Sequence, residues 1–128
     1  MTLDRRMLDF VAGHRAGVLA TLKRDGRPQL SNLFYAYDPR ANLVRISVTA
    51  DRAKTRNVQA DPRVTLHVTS PDFWSWVAVD ATVDELVAYY RATNGEHGNW
   101  DEYRAAMVAD RRLVLRFTPE HTYGQLPG

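Results

Sequence analysis

Basic side chains cluster at one point of the sequence and could bind an anion there. Arg52, Lys54 and Arg56 lie within five residues, and Asn57 adds a neutral donor directly after them. We expect this polar segment to open a short helix capped by Asp51, with Arg52 and Arg56 on one face. The amides at a helix N-terminus carry a partial positive charge. The segment therefore predicts a phosphate site, and a solvated basic connector is the open alternative.

A second group of candidate residues is polar and aromatic and contains no nucleophile. Gln29, Ser31 and Ser47 fall on predicted strands that should be neighbours, and their short polar groups suit the edge of a flat heterocycle. Trp74 and Trp76 are two residues apart and should share one face of a strand. Such a pair is more often a core or dimer contact than a cofactor platform. However, a small chain should bury aromatic surface against a second copy, where pockets often form.

Other catalytic machinery is absent from the sequence. There is no cysteine, which excludes disulfides, thiolate chemistry and iron–sulfur clusters. The four histidines are scattered and form no metal-binding pair at helical spacing. The acidic pairs Asp84-Glu85 and Asp101-Glu102 are explained by their positions at predicted helix starts. Any enzymatic reaction would therefore depend on a bound cofactor, and we expect no metal.

Length, composition and charge narrow the class of protein further. A chain of 128 residues with 45% hydrophobic and 25% charged residues is typical of one globular domain. It has no apolar run long enough for a membrane helix and no signal peptide, so we expect a cytoplasmic protein without a membrane partner. Residues 1–63 hold 12 basic and 6 acidic residues, whereas 64–128 hold 5 and 9. An anion should sit in the first half, but without a nucleic-acid-binding motif we expect no nucleic-acid partner.

The elements that must position these residues are mostly short strands. A helix is predicted over 2–13, capped by Thr2, and Asp25-Gly26 is a strong hairpin signal. A capping box at 82–85 predicts a helix that ends near Gly95, and a second helix should start at Asn99. This pattern indicates a mainly β fold: an antiparallel barrel with peripheral helices, and not a Rossmann or P-loop fold. Strands are expected over 17–22, 29–37, 43–48, 64–68, 73–79 and 113–117, with a short one at 123–124.

The succession of these motifs resembles the pyridoxamine 5'-phosphate oxidase-like split β-barrel proteins, the FMN-binding split barrels. Within that family it looks most like the branch that uses the deazaflavin coenzyme F420. The resemblance covers nearly the whole chain, and its combination of motifs is specific although each motif alone is weak. The matching pieces are residues 17–21, 25–32, 52–57, 61–63, 95–97, 100–104 and 123–124.

This resemblance implies a homodimer with two cofactor sites at the subunit interface. It further implies hydride transfer between reduced F420 and a small unsaturated or activated organic substrate, with the protein supplying orientation and electrostatics. Two alternatives stay open: an FMN-dependent oxidoreductase of the same family, and a non-catalytic carrier of F420 or flavin. The implied cofactor contacts are Arg52 and Lys54 to the phosphate with Arg56 and Asn57 close by, Gln29, Ser31, Asn32 and Ser47 along the ring, and Trp74 and Trp76 from the partner.

The sequence departs from the family pattern after Val79. Family members have a further strand and loop there, whereas 80–82 leads directly into the predicted capped helix. The shortfall is roughly a dozen residues, judged by the usual length of two strands and a turn. Because loss of a barrel strand would expose a sheet edge, we expect a missing loop rather than a truncated barrel.

Overall fold

Seven strands form one antiparallel sheet in the computed structural model, which describes residues 3–49, 51–88 and 112–127. The strand order is β2-β1-β5-β6-β7-β4-β3, and every pairing is antiparallel. The sheet curls into a half-barrel and confirms the predicted mainly β, split-barrel architecture. The elements are α1 (Arg5–Ala12), β1 (Ala16–Leu22), β2 (Pro28–Phe34), β3 (Ala36–Asp38), β4 (Leu43–Thr49), α2 (Ala53–Ala60), β5 (Arg63–Thr69), β6 (Trp76–Ala88) and β7 (Arg112–Gln125).

One residue joins the two edges of the sheet. β2 and β3 are the edge strands, yet only Tyr35 separates them along the chain, so the sheet must curl until its edges meet. Tyr35 is buried, its hydroxyl donates to the Val11 carbonyl at 2.6 Å, and its amide donates to the Arg15 carbonyl at 2.8 Å. The sequence predicted one strand over 29–37. The structure divides it at Tyr35, because that residue turns the chain from one edge to the other.

The barrel interior is filled by alternate residues of the long strands. Leu19, Leu66, Val79 and Phe117 are each fully buried, and Phe117 is the largest of them. Buried aliphatic and aromatic side chains of this kind supply most of the stability of a small domain. α1 closes one end of the barrel through the buried Val11.

The structure confirms the predicted hairpin turn near the N-terminus and corrects the predicted start of the first helix. The hairpin at Asp25-Gly26 is confirmed: the Lys23 amide donates to the Arg27 carbonyl at 2.8 Å, and Gly26 has a φ of 90°, which glycine adopts readily. The first helix begins later than predicted. Its cap is Asp4, whose carboxylate accepts from the amides of Arg6 and Met7, and not Thr2.

The helix predicted from the capping box at 82–85 is wrong, because this stretch belongs to β6. β6 runs to Ala88 and pairs with β7 as far as Leu113. The pairing is strong enough to override the local capping signal, and a register shift between Val83 and Glu85 accommodates the irregularity. Asp84 forms an ion pair with Arg116 at 3.1 Å instead of capping a helix.

The C-terminal strands are also longer than the sequence suggested. The stretches expected at 113–117 and 123–124 are parts of one strand, β7. The helix expected from Asn99 and the end of the other helix near Gly95 lie outside the described residues. β6 passes through 79–81 without a break, and the proposed shortening of the chain at that point stays a prediction.

Burial of Tyr35 predicts a loss of stability at alkaline pH. Burial raises the pKa of the Tyr35 phenol above its usual value near 10, so the folded protein retains a proton that the unfolded chain releases. The contribution of Tyr35 to the free energy of unfolding should therefore not change with pH below pH 10, and it should decrease above pH 10. Urea denaturation of the wild type and Tyr35→Phe at pH 8 and pH 10.5 tests this. The variant should lose less stability between the two pH values, and an equal loss in both proteins would contradict the assignment.

Candidate functional site

The basic segment does open a helix, but with a different cap from the one expected. α2 begins at Ala53, its N-cap residue is Arg52, and no side chain caps it. Asp51 lies one residue too early to cap, and its carbonyl accepts a hydrogen bond from the Arg56 guanidinium. Thr55 is fully buried and donates its hydroxyl to the Thr49 carbonyl at 2.7 Å. The Thr55 amide donates to the Arg52 carbonyl at 3.1 Å, whereas no side chain of the described residues caps the amides of Ala53 and Lys54 beside the basic side chains.

Two cations lie together at this helix start without a counter-charge. Burial and the neighbouring Arg52 both lower the pKa of the Lys54 ammonium group, burial being the larger effect. Within residues 3–49, 51–88 and 112–127, neither cation forms an ion pair with a carboxylate. The first turn of α2 also contains no acidic residue. A bound anion would relieve this repulsion and replace the water that Lys54 has lost.

Asn57 fixes the basic helix against the β1–β2 hairpin. Its side-chain amide donates to the Thr21 hydroxyl at 3.0 Å, and Thr21 is fully buried. Thr21 in turn pairs across the ladder with Gln29. Therefore the structure places the start of β2 next to the helix that carries the cations.

The polar-apolar alternation over 29–37 predicts a strand that buries one face and presents Gln29 and Ser31 on the other, and the structure reverses these faces. Gln29 and Ser31 lie on its half-buried face, whereas Leu30 and Phe34 on the other face are 63% and 78% exposed. Asn32 shares that exposed face. Leu30, Asn32 and Phe34 are therefore left exposed on the outer face of this edge strand.

Ser47 is also placed differently from the prediction. It is exposed on β4, which pairs with β7 and β3, whereas β2 pairs only with β1. β2 and β4 are therefore not hydrogen-bonded neighbours in the sheet, although the curl of the sheet brings them into contact. β2 and β4 face each other across the split of the half-barrel, since β2 and β3 carry the two joined edges.

The two tryptophans do not share a strand. Trp74 lies in the turn before β6 and is 75% exposed, with its amide donating to Asp72 at 3.1 Å and its carbonyl accepting from Gln125 at 2.8 Å. Trp76 is the first residue of β6. The strand predicted over 73–79 therefore begins only at Trp76, because residues 73–75 belong to a hydrogen-bonded turn.

Sequence reasoning missed the neighbours of Trp76. Its ring stacks on His67 with centroids 5.5 Å apart and meets Tyr123 edge-on at 5.9 Å, and His121 lies 5.7 Å from Tyr123. These residues come from β5, β6 and β7. Only the register of the three strands brings them together, and no local sequence signal could have found them.

A groove at the other end of the β1–β2 hairpin was also missed. Its volume is about 820 Å³, within the range of about 300–1,000 Å³ of small-molecule sites. It collects residues from the end of α1, both strands of the hairpin and the turn before β6. Those that matter chemically are His14, Arg15, Asn32, Phe34, Ser70 and Phe73.

The described part of the chain contains neither a metal-binding cluster nor a membrane-spanning helix. No three histidine or acidic side chains there converge to hold a metal ion. Neither described helix is long and apolar enough to cross a membrane.

Comparison with known proteins identifies the family. The curled antiparallel half-barrel is consistent with the architecture of the flavin-binding split barrels. The chain belongs to the pyridoxamine 5'-phosphate oxidase family, whose model matches residues 3–126. That family includes oxidoreductases.

Solved structures share this fold with different ligands. An F420 reductase is 24% identical and has a TM-score of 0.67, with 85% of this chain and 89% of that chain covered. An FAD-binding protein from Mesorhizobium loti is 20% identical with a TM-score of 0.70, covering 100% and 98%. A heme storage protein from Vibrio cholerae is 16% identical with a TM-score of 0.64, covering 98% and 96%. At these identities the similarity shows the fold and leaves the ligand open.

Proposed function

We propose that the protein is an oxidoreductase that transfers a hydride between reduced coenzyme F420 and a small unsaturated or activated organic substrate. The observation that carries this proposal is the uncompensated cation pair, Arg52 and Lys54, at the uncapped start of α2. F420 combines a phosphate with a tricyclic ring, and the family uses phosphate-bearing cofactors of this shape.

The residues near α2 suit such a cofactor. Arg52 and Lys54 would hold the phosphate together with the first amides of the helix, and Arg56 and Asn57 lie within the same two turns. Because Asn57 already bonds to Thr21, its main role is to fix the helix. When bound, F420 supplies the hydride chemistry. The protein's own residues bind and orient it: Gln29 and Ser31, which share one face of β2, would lie along the ring, whereas the other two expected contacts, Asn32 and Ser47, lie on the opposite face of β2 and on β4.

A homodimer is part of the proposal. Outside the groove that Phe34 and Phe73 line, large apolar side chains are exposed on the outer surface of the described chain: Leu30, Trp74 and Tyr123. Exposed apolar surface of this extent is typical of protein interfaces. In a dimer, Trp74 and Trp76 of the partner would complete the cofactor site.

A fluorescence titration with F420 and with FMN tests the proposed cofactor. We expect F420 to bind with a Kd below about 100 μM. Tighter binding of FMN would favour the alternative of an FMN-dependent oxidoreductase, which the similarity to an FAD-binding protein supports. Binding of neither cofactor would contradict the proposal.

Single-turnover measurements then separate an enzyme from a carrier. The reduced F420 complex is mixed with a quinone, an enone or a nitro compound, and the cofactor absorbance is followed. Stoichiometric oxidation of the bound cofactor is expected. A saturated complex that reduces none of these acceptors would instead indicate a protein that only carries the cofactor.

A further inference from the structure

An exposed aromatic residue next to the groove is held in an unfavourable backbone conformation. Phe73 has a φ of 72°, in the left-handed region that large side chains rarely adopt. Its ring is 77% exposed, so burial within the described chain does not offset the strain. The turn is held by hydrogen bonds instead: the Phe73 amide donates to the Ser70 carbonyl at 2.9 Å, and the Ser75 amide donates to the Ser70 hydroxyl at 3.1 Å. Such strain is concentrated at ligand-binding sites.

The groove beside Phe73 is lined by exposed aromatic side chains and by small residues. Phe34, at the end of β2, is the second aromatic residue of its lining and is 78% exposed. Small residues of β1, Ala16 and Gly17, line the groove as well. A side chain cannot be added at Gly17, because its Cβ would lie 2.8 Å from the His67 carbonyl oxygen. Aromatic faces bind planar rings by stacking, and small residues in the lining leave room for such a ring.

Polar groups in the same groove indicate an acidic substituent on that ring. Arg15 is exposed and forms no ion pair within the described residues. His14 stacks on Phe10, and its Nδ1 lies 2.7 Å from the Phe10 carbonyl oxygen. Since a carbonyl only accepts, Nδ1 carries the proton, so Nε2 of the neutral ring is an acceptor for a hydroxyl or amide of a ligand and not a partner for a carboxylate. The guanidinium of Arg15 is complementary in charge to a carboxylate.

We infer that this groove binds a flat aromatic or conjugated carboxylic acid, which is the substrate class of the proposed reaction. The role as substrate site rests on the proposed function. The groove lies at the Ala16–Phe34 end of the hairpin, and α2 docks at the Thr21–Gln29 end, five residues or about 16 Å away. A phosphate on α2 and an acid in the groove would thus have the β2 residues of the candidate cofactor site between them.

Isothermal titration calorimetry with 2-naphthoate tests the inference on the full chain without cofactor. We expect saturable binding with a Kd below about 1 mM, and binding of the neutral analogue 2-naphthalenemethanol at least about tenfold weaker. Arg15→Gln should weaken 2-naphthoate about tenfold and leave the alcohol unchanged. Arg24→Gln, the same change at an exposed position of the β1–β2 turn, is the matched control and should bind as the wild type does.

A second variant tests the aromatic wall. Phe73→Ala should weaken both ligands, because it removes the stacking surface and not the charge. Absence of 2-naphthoate binding, or equal affinity in Arg15→Gln and the wild type, would overturn the inference. The inference would also be overturned if Phe73→Ala made the protein monomeric and left its affinity for 2-naphthoate unchanged. Phe73 would then be a subunit contact and not part of a ligand site. An F420 titration of Arg15→Gln, expected to match the wild type, separates failure of this site from failure of the cofactor proposal.

Discussion

Replacement of Lys54 by alanine is expected to weaken F420 binding by about 10- to 100-fold while the protein stays folded. A hydrogen bond from a charged donor contributes about 1.5–3 kcal/mol, which corresponds to this range of affinity. Lys54 is half-buried beside Arg52, and both burial and that neighbour lower the pKa of its ammonium group. Removing it relieves a like-charge repulsion, so the free energy of unfolding should not fall.

Fluorescence titration with F420, paired with thermal unfolding of the same samples, measures both effects. Lys23→Ala is the matched control, because Lys23 is the other lysine of the chain and lies exposed at the hairpin turn. It should bind F420 with wild-type affinity. Unchanged affinity in Lys54→Ala would refute the assignment of the phosphate to the start of α2.

Replacement of Gly124 by alanine is expected to destabilise the fold by about 3 kcal/mol, at the upper end of overpacking effects. An added Cβ would lie 2.1 Å from the Trp76 carbonyl oxygen and 2.8 Å from the Val77 Cα. Both are backbone atoms of the paired strand β6, so neither can rotate away. The strands would have to separate where they position Trp76 and Tyr123.

Urea denaturation provides the measurement, and two other glycines provide graded controls. At Gly13 the nearest atoms to an added Cβ are 3.6 Å away, so alanine should be nearly neutral. Gly26 has open space around it but a φ of 90°, so alanine there should cost about 1 kcal/mol. If Gly124→Ala lowers the free energy of unfolding no more than Gly26→Ala does, β6 and β7 can move apart at this point at little cost, and the prediction is wrong.

Elements whose structure depends on a local sequence signal were mostly predicted correctly. The Asp25-Gly26 turn and the apolar runs of β1, β4 and β5 were predicted within a residue or two. The capping box at 82–85 misled because its local preference competes with pairing to β7, which begins at Arg112. Propensity within one segment cannot reveal a partner strand so far away.

The candidate site likewise has one part that could be predicted from the sequence and one part that could not. The basic segment is contiguous, so its chemistry is visible in the sequence, although its cap and the hydrogen bond from Asn57 to Thr21 are not. The groove depends on residues from three separate parts of the chain. Trp74 and Trp76 were assigned to one strand because their spacing fits a strand. The hydrogen bonds that hold the turn instead, from the Ser75 amide to the Ser70 hydroxyl and from Gln125 to the Trp74 carbonyl, were not foreseeable.

The position of β7 inside the sheet has a consequence for how the protein is made. β4 ends at Thr49, and its inner neighbour β7 begins only at Arg112, some 60 residues later. At 5–20 residues per second, a nascent chain would expose that edge of the β3–β4 hairpin for several seconds. Unpaired strand edges recruit other chains. Slowing translation between these two strands should therefore increase aggregation more than slowing it after β7.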